Sequence, residues 1–166
     1  MPKKKKKKKI DLETIKYNCD TWFSRYIKLK KLKHGKNKCM SCDRKLNVLS
    51  RSTHGGHFIP KKTRLNTRYD ENNVYLQCIY CNLYDKEMAH IKMTIKIIKY
   101  LGIEWVDKLV KKSEKKIERE IDDYNQMIEK FRMECIYLVK DRKTLLGDPK
   151  WLVDIKKDSD EFWSNQ

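Results

Sequence analysis

The 166-residue chain carries 40 Lys and Arg against 23 Asp and Glu, for a formal net charge of +17 at pH 7, and 38% of its residues are charged. That length holds one compact domain with helical extensions around a modest core. No stretch approaches the roughly 18 apolar residues of a membrane span and no signal-peptide core follows the early lysines, so the sequence argues against a membrane-spanning or secreted chain and predicts a cytoplasmic one.

Taking the seven lysines at positions 3–9 out of the +17 still leaves +10, so the basic character is not confined to that run. Such a surface favours polyanions, with an affinity that falls as salt rises. An anionic membrane surface competes as a partner, but the lysines lead into Asp11 and Glu13 rather than an apolar segment. Residues 1–10 are expected to form a self-repelling, disordered basic tail. Over 11–35 the pattern is helical. Asp11 suits the N-cap; Leu12, Ile15, Cys19, Trp22, Tyr26 and Leu29 recur at helical spacing, with Phe23 and Ile27 widening the stripe. Gly35 stops the helix, and Lys33 and His34 suit the negative end of its dipole.

Residues 36–102 form the module where the chemistry lies. Cys39/Cys42 and Cys78/Cys81 are two Cys-x-x-Cys doublets with 35 residues between them. Each doublet can turn both thiolates onto one metal, and together they predict a closed, structural four-cysteine zinc site. With nothing directing secretion, a disulfide framework is the weaker use of these cysteines; Cys19 and Cys135, each alone in a helical pattern, are expected to pack as small hydrophobes. Residues 46–50 and 57–59 are strand candidates, with Gly55-Gly56 as the turn between them. From Cys81 a helix runs to Gly102 with Leu83, Met88, Ile91, Ile95 and Ile98 as its apolar pattern, and His90 is expected on its surface.

Residues 103–147 are expected to be helical: a short segment over 103–110, then a long helix over 113–146. Its seam of Ile117, Ile121, Tyr124, Ile128, Phe131, Cys135 and Leu138 alternates four and three residues apart and asks for one partner helix. Either the N-terminal helix or a second copy of the same helix can fill that role. Residues 148–166, with Trp151 and Trp163, form a tail without an assigned place. The fold class is thus α+β, mostly helical, with a small zinc-stabilised module between an N-terminal helix and long C-terminal helices.

The Cys-x-x-Cys, the Gly-His-Phe at 56–58 and the Asn-Asn-Val-x-x-Gln-Cys-x-x-Cys-Asn segment at 72–82 resemble the phage NinG/Rap recombination nucleases, over roughly residues 22–109. More broadly they are similar to zinc-containing HNH, or ββα-metal, nucleases of the endonuclease VII type. The resemblance implies a metal-dependent endonuclease acting on branched DNA such as a Holliday junction or D-loop. It implies His57 as general base, Asn82 as a catalytic-metal ligand at the start of the helix, and Asn73 as the asparagine that ties the loop. Many HNH nucleases carry Asp or His directly before the base, where this chain has Gly56. His54 is then the candidate for the missing ligand, or else a turn residue, and Asp85, one helical turn from Asn82, is a candidate holder of a metal-bound water.

Chemistry supports these roles. A neutral imidazole can take a proton from water near pH 7, and a hard cation, Mg2+ or Mn2+, can neutralise charge developing on a phosphate. Lys61, Lys62, Arg64 and Arg68 are candidate phosphate clamps, each otherwise a solvated charge. Without cleavage the same module would be a zinc-dependent DNA-binding or recombination accessory, and an HNH nuclease with sequence specificity is the other alternative. A four-way junction presents two symmetry-related strands, which asks for a twofold dimer; the seam over 117–138 is its expected interface.

Overall fold

In the computed structural model, which describes residues 11–165, the Asp11 carboxylate accepts the Thr14 backbone N–H at 2.7 Å and starts α1 (Leu12–Lys33). The lysine run at 3–9 lies outside the described residues. α1 buries Ile15, Cys19, Phe23, Tyr26, Ile27 and Leu29, and Gly35 beyond its end adopts φ +65°, a conformation glycine enters without steric cost. The described residues further form β1 (Thr53–His57), β2 (Val74–Cys78), α2 (Lys86–Leu101), α3 (Ile103–Glu114), α4 (Ile121–Val139) and α5 (Lys150–Ser164). The fold is mostly helical α+β with a small two-stranded sheet. No helix among the described residues is long and apolar enough to cross a membrane.

The main core lies between α1 and α4, with α5 closing it through Leu152 and Ile155. Phe23, Tyr26, Tyr69 and Phe131 form its aromatic centre; the Phe23 and Phe131 rings are 5.0 Å apart. Cys19 and Cys135 are fully buried here, and burial raises their thiols to about 11 and about 12. A smaller cluster joins α2 and α3 to the loop after β1, through Phe58, Ile59, Met93, Ile97 and Leu109.

Several expectations are corrected. The pattern over 113–146 is two helices: α3 ends at Glu114, residues 115–120 run irregularly, and α4 starts at Ile121 behind a capping box of Glu120 and Asp123. α4 stops at Val139, short of Leu146. Of the two partners left open for the seam, α1 of the same chain covers Tyr124, Phe131 and Cys135, which are buried against it. Residues 150–164, left without a place by the sequence, are α5.

The sheet also differs. β1 covers Thr53–His57, and Gly55-Gly56 lies inside it rather than at a turn; its partner is β2, antiparallel, with His54 opposite Gln77 and His57 opposite Val74. Residues 46–50 form no strand. On α2 the buried positions are Ala89, Met93 and Ile97, whereas Met88, Ile91, Ile95 and Ile98 are 37–61% exposed. The apolar pattern read from the sequence therefore lies on the side of the helix opposite its buried face.

Candidate active site

The two cysteine doublets converge. The Sγ atoms of Cys39, Cys42, Cys78 and Cys81 all lie within 4.8 Å of one another, and Cys42 and Cys78 are 3.9 Å apart. Four sulfurs about 2.3 Å from one ion at tetrahedral corners stand about 3.8 Å apart, so the quartet is shaped for zinc. The first doublet sits on a tight turn in which Cys39 N–H donates to the Arg44 carbonyl at 2.9 Å, Asp43 N–H donates to the Cys39 carbonyl at 3.0 Å, and Asp43 takes φ +60°. Cys78 ends β2, and Cys81 sits in a wide helical turn over Tyr80–Tyr84. Burial alone would raise the Cys39 thiol, but backbone N–H groups of Cys78, Cys42 and Ser41 bring it below its ordinary value, favouring thiolate.

The cysteine cluster is tied to β2 and α2 by polar bonds. The Ser41 hydroxyl donates to the Ala89 carbonyl at 2.8 Å and accepts Gln77 Nε2–H at 2.7 Å. Gln77 in turn fills the space beside Gly56: a Cβ built there would come within 1.7 Å of Gln77 Oε1. No side chain fits directly before His57 while Gln77 holds this position. At Gly55 a Cβ would meet Val74 at 2.9 Å, so both glycines serve close approach of β2.

Across the sheet, two histidines are fixed in one tautomer. His57 Nε2–H donates to the Arg68 carbonyl at 2.8 Å, and His54 Nε2–H donates to the Arg51 carbonyl at 3.1 Å. A carbonyl can only accept, so each ring keeps its lone pair on Nδ1. His54 Nδ1 accepts the Asn82 Nδ2–H at 2.9 Å. Both histidines and Asn82 line a cavity of about 260 Å³ between α1 and β1, together with Asp20, Lys28 and Lys61. Burial lowers the His57 pKa below its ordinary value and nearby Lys61 adds to the effect, so the ring is neutral at pH 7.

The loop after β1 is held by Asn73, which is fully buried. Its Oδ1 accepts Ile59 N–H at 2.7 Å, and its Nδ2 donates to the carbonyls of Ile59 at 2.9 Å and Thr67 at 3.0 Å. Every polar atom of the amide is thus spent on shaping the segment that carries Arg68, and with it the carbonyl that orients His57.

Residues 2–141 match the family model described as NinG, Bacteriophage Lambda NinG protein. The chain belongs to the NinG family. This is a family of phage recombination proteins. No curated protein and no solved structure matches the chain.

Of the NinG chain's four expected phosphate clamps, Lys61 alone lines the cavity; its Nζ also pairs with Asp20 at 2.9 Å. Arg68 is engaged elsewhere. Its Nε and Nη2 donate to both Asp20 oxygens at 3.0 and 2.7 Å, and its Nη1 donates to the Lys61 carbonyl at 3.2 Å. Lys62 and Arg64 are exposed on the loop and line no described cavity. Asp85 donates its backbone N–H to the Tyr80 carbonyl at 3.0 Å and precedes α2, but its carboxylate lines neither cavity beside Asn82.

Sequence reasoning missed three charged cavity residues, Asp20, Lys28 and Arg51. Asp20 had a signal: it is the one carboxylate of α1 beyond the first turn. His90, assigned to the surface, is exposed but stacks on Phe58 at 5.5 Å, and it lines a second cavity of about 280 Å³ with His57, Asn82 and Lys86.

Proposed function

We propose that this NinG-family chain is a metal-dependent endonuclease of the HNH type that cuts branched DNA recombination intermediates. The observation that carries the proposal is the pair of tautomer-fixed histidines, His57 and His54, with His54 Nδ1 against the Asn82 amide in a cavity edged by Lys28 and Lys61. His57 is the base. Its Nδ1 takes a proton from water, the hydroxide attacks phosphorus, and the opposite P–O ester bond breaks with its electron pair leaving on oxygen, which is then protonated. The Arg68 carbonyl holds the ring throughout and stabilises the imidazolium that forms, as a hydrogen-bond acceptor should.

With the Asn82 amide turned so that Oδ1 rather than Nδ2 faces the ring, His54 Nδ1 and Asn82 Oδ1 would hold a divalent cation. Bound there, it would supply positive charge to the phosphate oxygens. The donor set fits that role: one imidazole nitrogen and one amide oxygen, both neutral, leave the rest of the coordination shell to phosphate and water. An imidazole in the set suits Mn2+ better than Mg2+, whose preference is for oxygen. The close approach of Gly56 to Gln77 accounts for a base with no acidic neighbour, and His54 supplies the donor from three residues earlier.

The test is cleavage of a four-way junction and of linear duplex of the same sequence, in Mg2+ and in Mn2+. Junction cleavage with weak duplex cleavage, faster in Mn2+, is expected. His57→Ala should slow turnover about 10²- to 10⁴-fold with zinc content and junction binding near wild type. Retained turnover would remove His57 from the mechanism, and junction binding with no cleavage in either metal would replace the nuclease by a recombination accessory.

A further inference from the structure

We propose that the cleft between α1 and the start of α5 binds an unpaired stretch of DNA strand, whose bases stack on Trp22 and Trp151, beside the scissile phosphate. The proposal rests on the nuclease reading for the identity of the strand, and on the cleft itself for the mode of binding.

This cleft is the larger neighbour of the histidine cavity, at about 690 Å³. Trp22 on α1 and Trp151 on α5 both line it and are only partly buried. Between them lies Arg25, its guanidinium carbon 4.8 Å from the centre of the Trp22 ring and 5.7 Å from that of Trp151. Arg25 is half-buried, and partial desolvation lowers its pKa and strengthens its attraction to the two rings.

Two further observations select the ligand. Lys28 and Arg51 line both this cleft and the histidine cavity, so a strand with one phosphate beside His57 meets continuous positive charge on its way to the tryptophans. The lining carries four basic side chains, Arg25, Lys28, Arg51 and Lys150, against Asp154 and Asp158, and Asp158 is already within 3.3 Å of Arg132. A positive groove with partly open tryptophan rings is the combination that holds unpaired strands, because a base inside a duplex has both faces covered by its neighbours. Branch points and flaps supply such bases; uniform duplex does not. Trp151 lies beyond the residues matched to the NinG family model, 2–141.

The experiment is a binding titration of the full chain, without added divalent metal, against a single-stranded oligonucleotide, a duplex with one single-stranded arm, and the fully paired duplex. Trp151→Leu should bind the first two at least about fivefold more weakly than wild type, as loss of one stacked base requires, and the paired duplex within twofold. Equal single-strand affinity in wild type and variant overturns the proposal, as does an equal fall on all three ligands.

If Trp151→Leu melts earlier than wild type, the intact protein supplies a second reading. Oligo(dT) should quench its tryptophan emission through stacking, and binding without quenching overturns the proposal. None of these measurements needs turnover. A chain that binds single strands through Trp151 but cuts no DNA would keep the cleft and lose the nuclease, whereas cleavage by a chain whose single-strand affinity ignores Trp151 would do the reverse.

Discussion

Between α1 and α4 the chain is held by apolar burial: Phe23, Tyr124, Phe131 and Ile136 are at most 5% exposed and pack into one aromatic-rich core. Around the cysteine doublets the buried set shrinks to three of the cysteines and Ala89, with Leu46 alongside. Both regions position the same site, since α1 supplies Asp20 and Lys28 while the cysteine-anchored β1, β2 and the turn before α2 supply His54, His57 and Asn82. The contrast teaches that a scaffold of few apolar side chains can hold the candidate site where a cysteine quartet shaped for zinc and buried amides stand in for a core.

The largest break in that comparison should come from the metal. Cys78→Ser, or removal of zinc by a chelator, takes away a binding energy on the order of 10–16 kcal/mol in structural zinc sites. The segment over 36–102 should become protease-sensitive while helical dichroism from α1, α4 and α5 persists. A Cys78→Ser chain with full zinc stoichiometry and native protease resistance would sink the idea that the quartet holds the module.

The opposite break targets the apolar half. Phe131 is 5% exposed and stacks against both Phe23 and Tyr26, so Phe131→Ala should cost about 3–5 kcal/mol of stability in denaturant titration. Zinc stoichiometry should stay near that of wild type below the melting transition. A cost under about 1 kcal/mol would mean that α4 is loosely seated, and would reopen its face to a second copy of the chain.

Legibility in the sequence follows the same division. α1 could be read almost to the residue because Asp11, a single stripe and Gly35 all agree. The break over 115–120 could not, since Lys-Lys-Ile-Glu-Arg-Glu contains no glycine or proline and its Ile117 falls in phase with the seam of α4. On α2 two stripes compete on opposite sides of the helix, and the more apolar one, Met88, Ile91, Ile95 and Ile98, is the exposed one. Gly55-Gly56 looked like a turn because its physical reason, the approach of Gln77 and Val74, comes from a strand distant in sequence. The cysteine quartet was legible from spacing alone. Asp20, Lys28 and Arg51 were not, because they reach the cavity through helix packing and a loop that no local pattern records.

A smaller effect sharpens the contact between the two regions. Asp20 on α1 pairs with Arg68 and Lys61 on the loop, and those pairs hold its carboxyl below the usual range although burial alone would raise it. The charge-assisted pairing is worth about 1.5–3 kcal/mol. Asp20→Asn should therefore lower stability at neutral pH by that order, and lower kcat more than it raises KM, since Arg68 reaches the water only through His57. Because the folded carboxyl has the lower pKa, its contribution is present above pH ~4 and lost as pH falls through the folded value. The Asp20→Asn protein should lack that acid-side loss; unchanged kcat in this variant would separate the ion pair from the chemistry.

The finest distinction concerns the proton on His57. Burial, then Lys61, lowers its pKa beneath 6.5, while Asp20 pulls the other way. In the proposed mechanism the neutral ring is the base, so single-turnover cleavage should rise with pH to a plateau whose midpoint lies below 6.5. The sign for stability agrees: the unfolded chain takes up the proton first, so the stability due to the buried neutral ring is present above pH ~6.5 and lost as pH falls through the folded value. Lys61→Gln removes a repelling charge and should move the kinetic midpoint up, whereas Asp20→Asn removes an attracting one and should move it down. Opposite shifts from two partners of one ion pair are what a base in direct electrostatic contact with both predicts. A midpoint that stays fixed in both variants would assign the titration to a group other than His57.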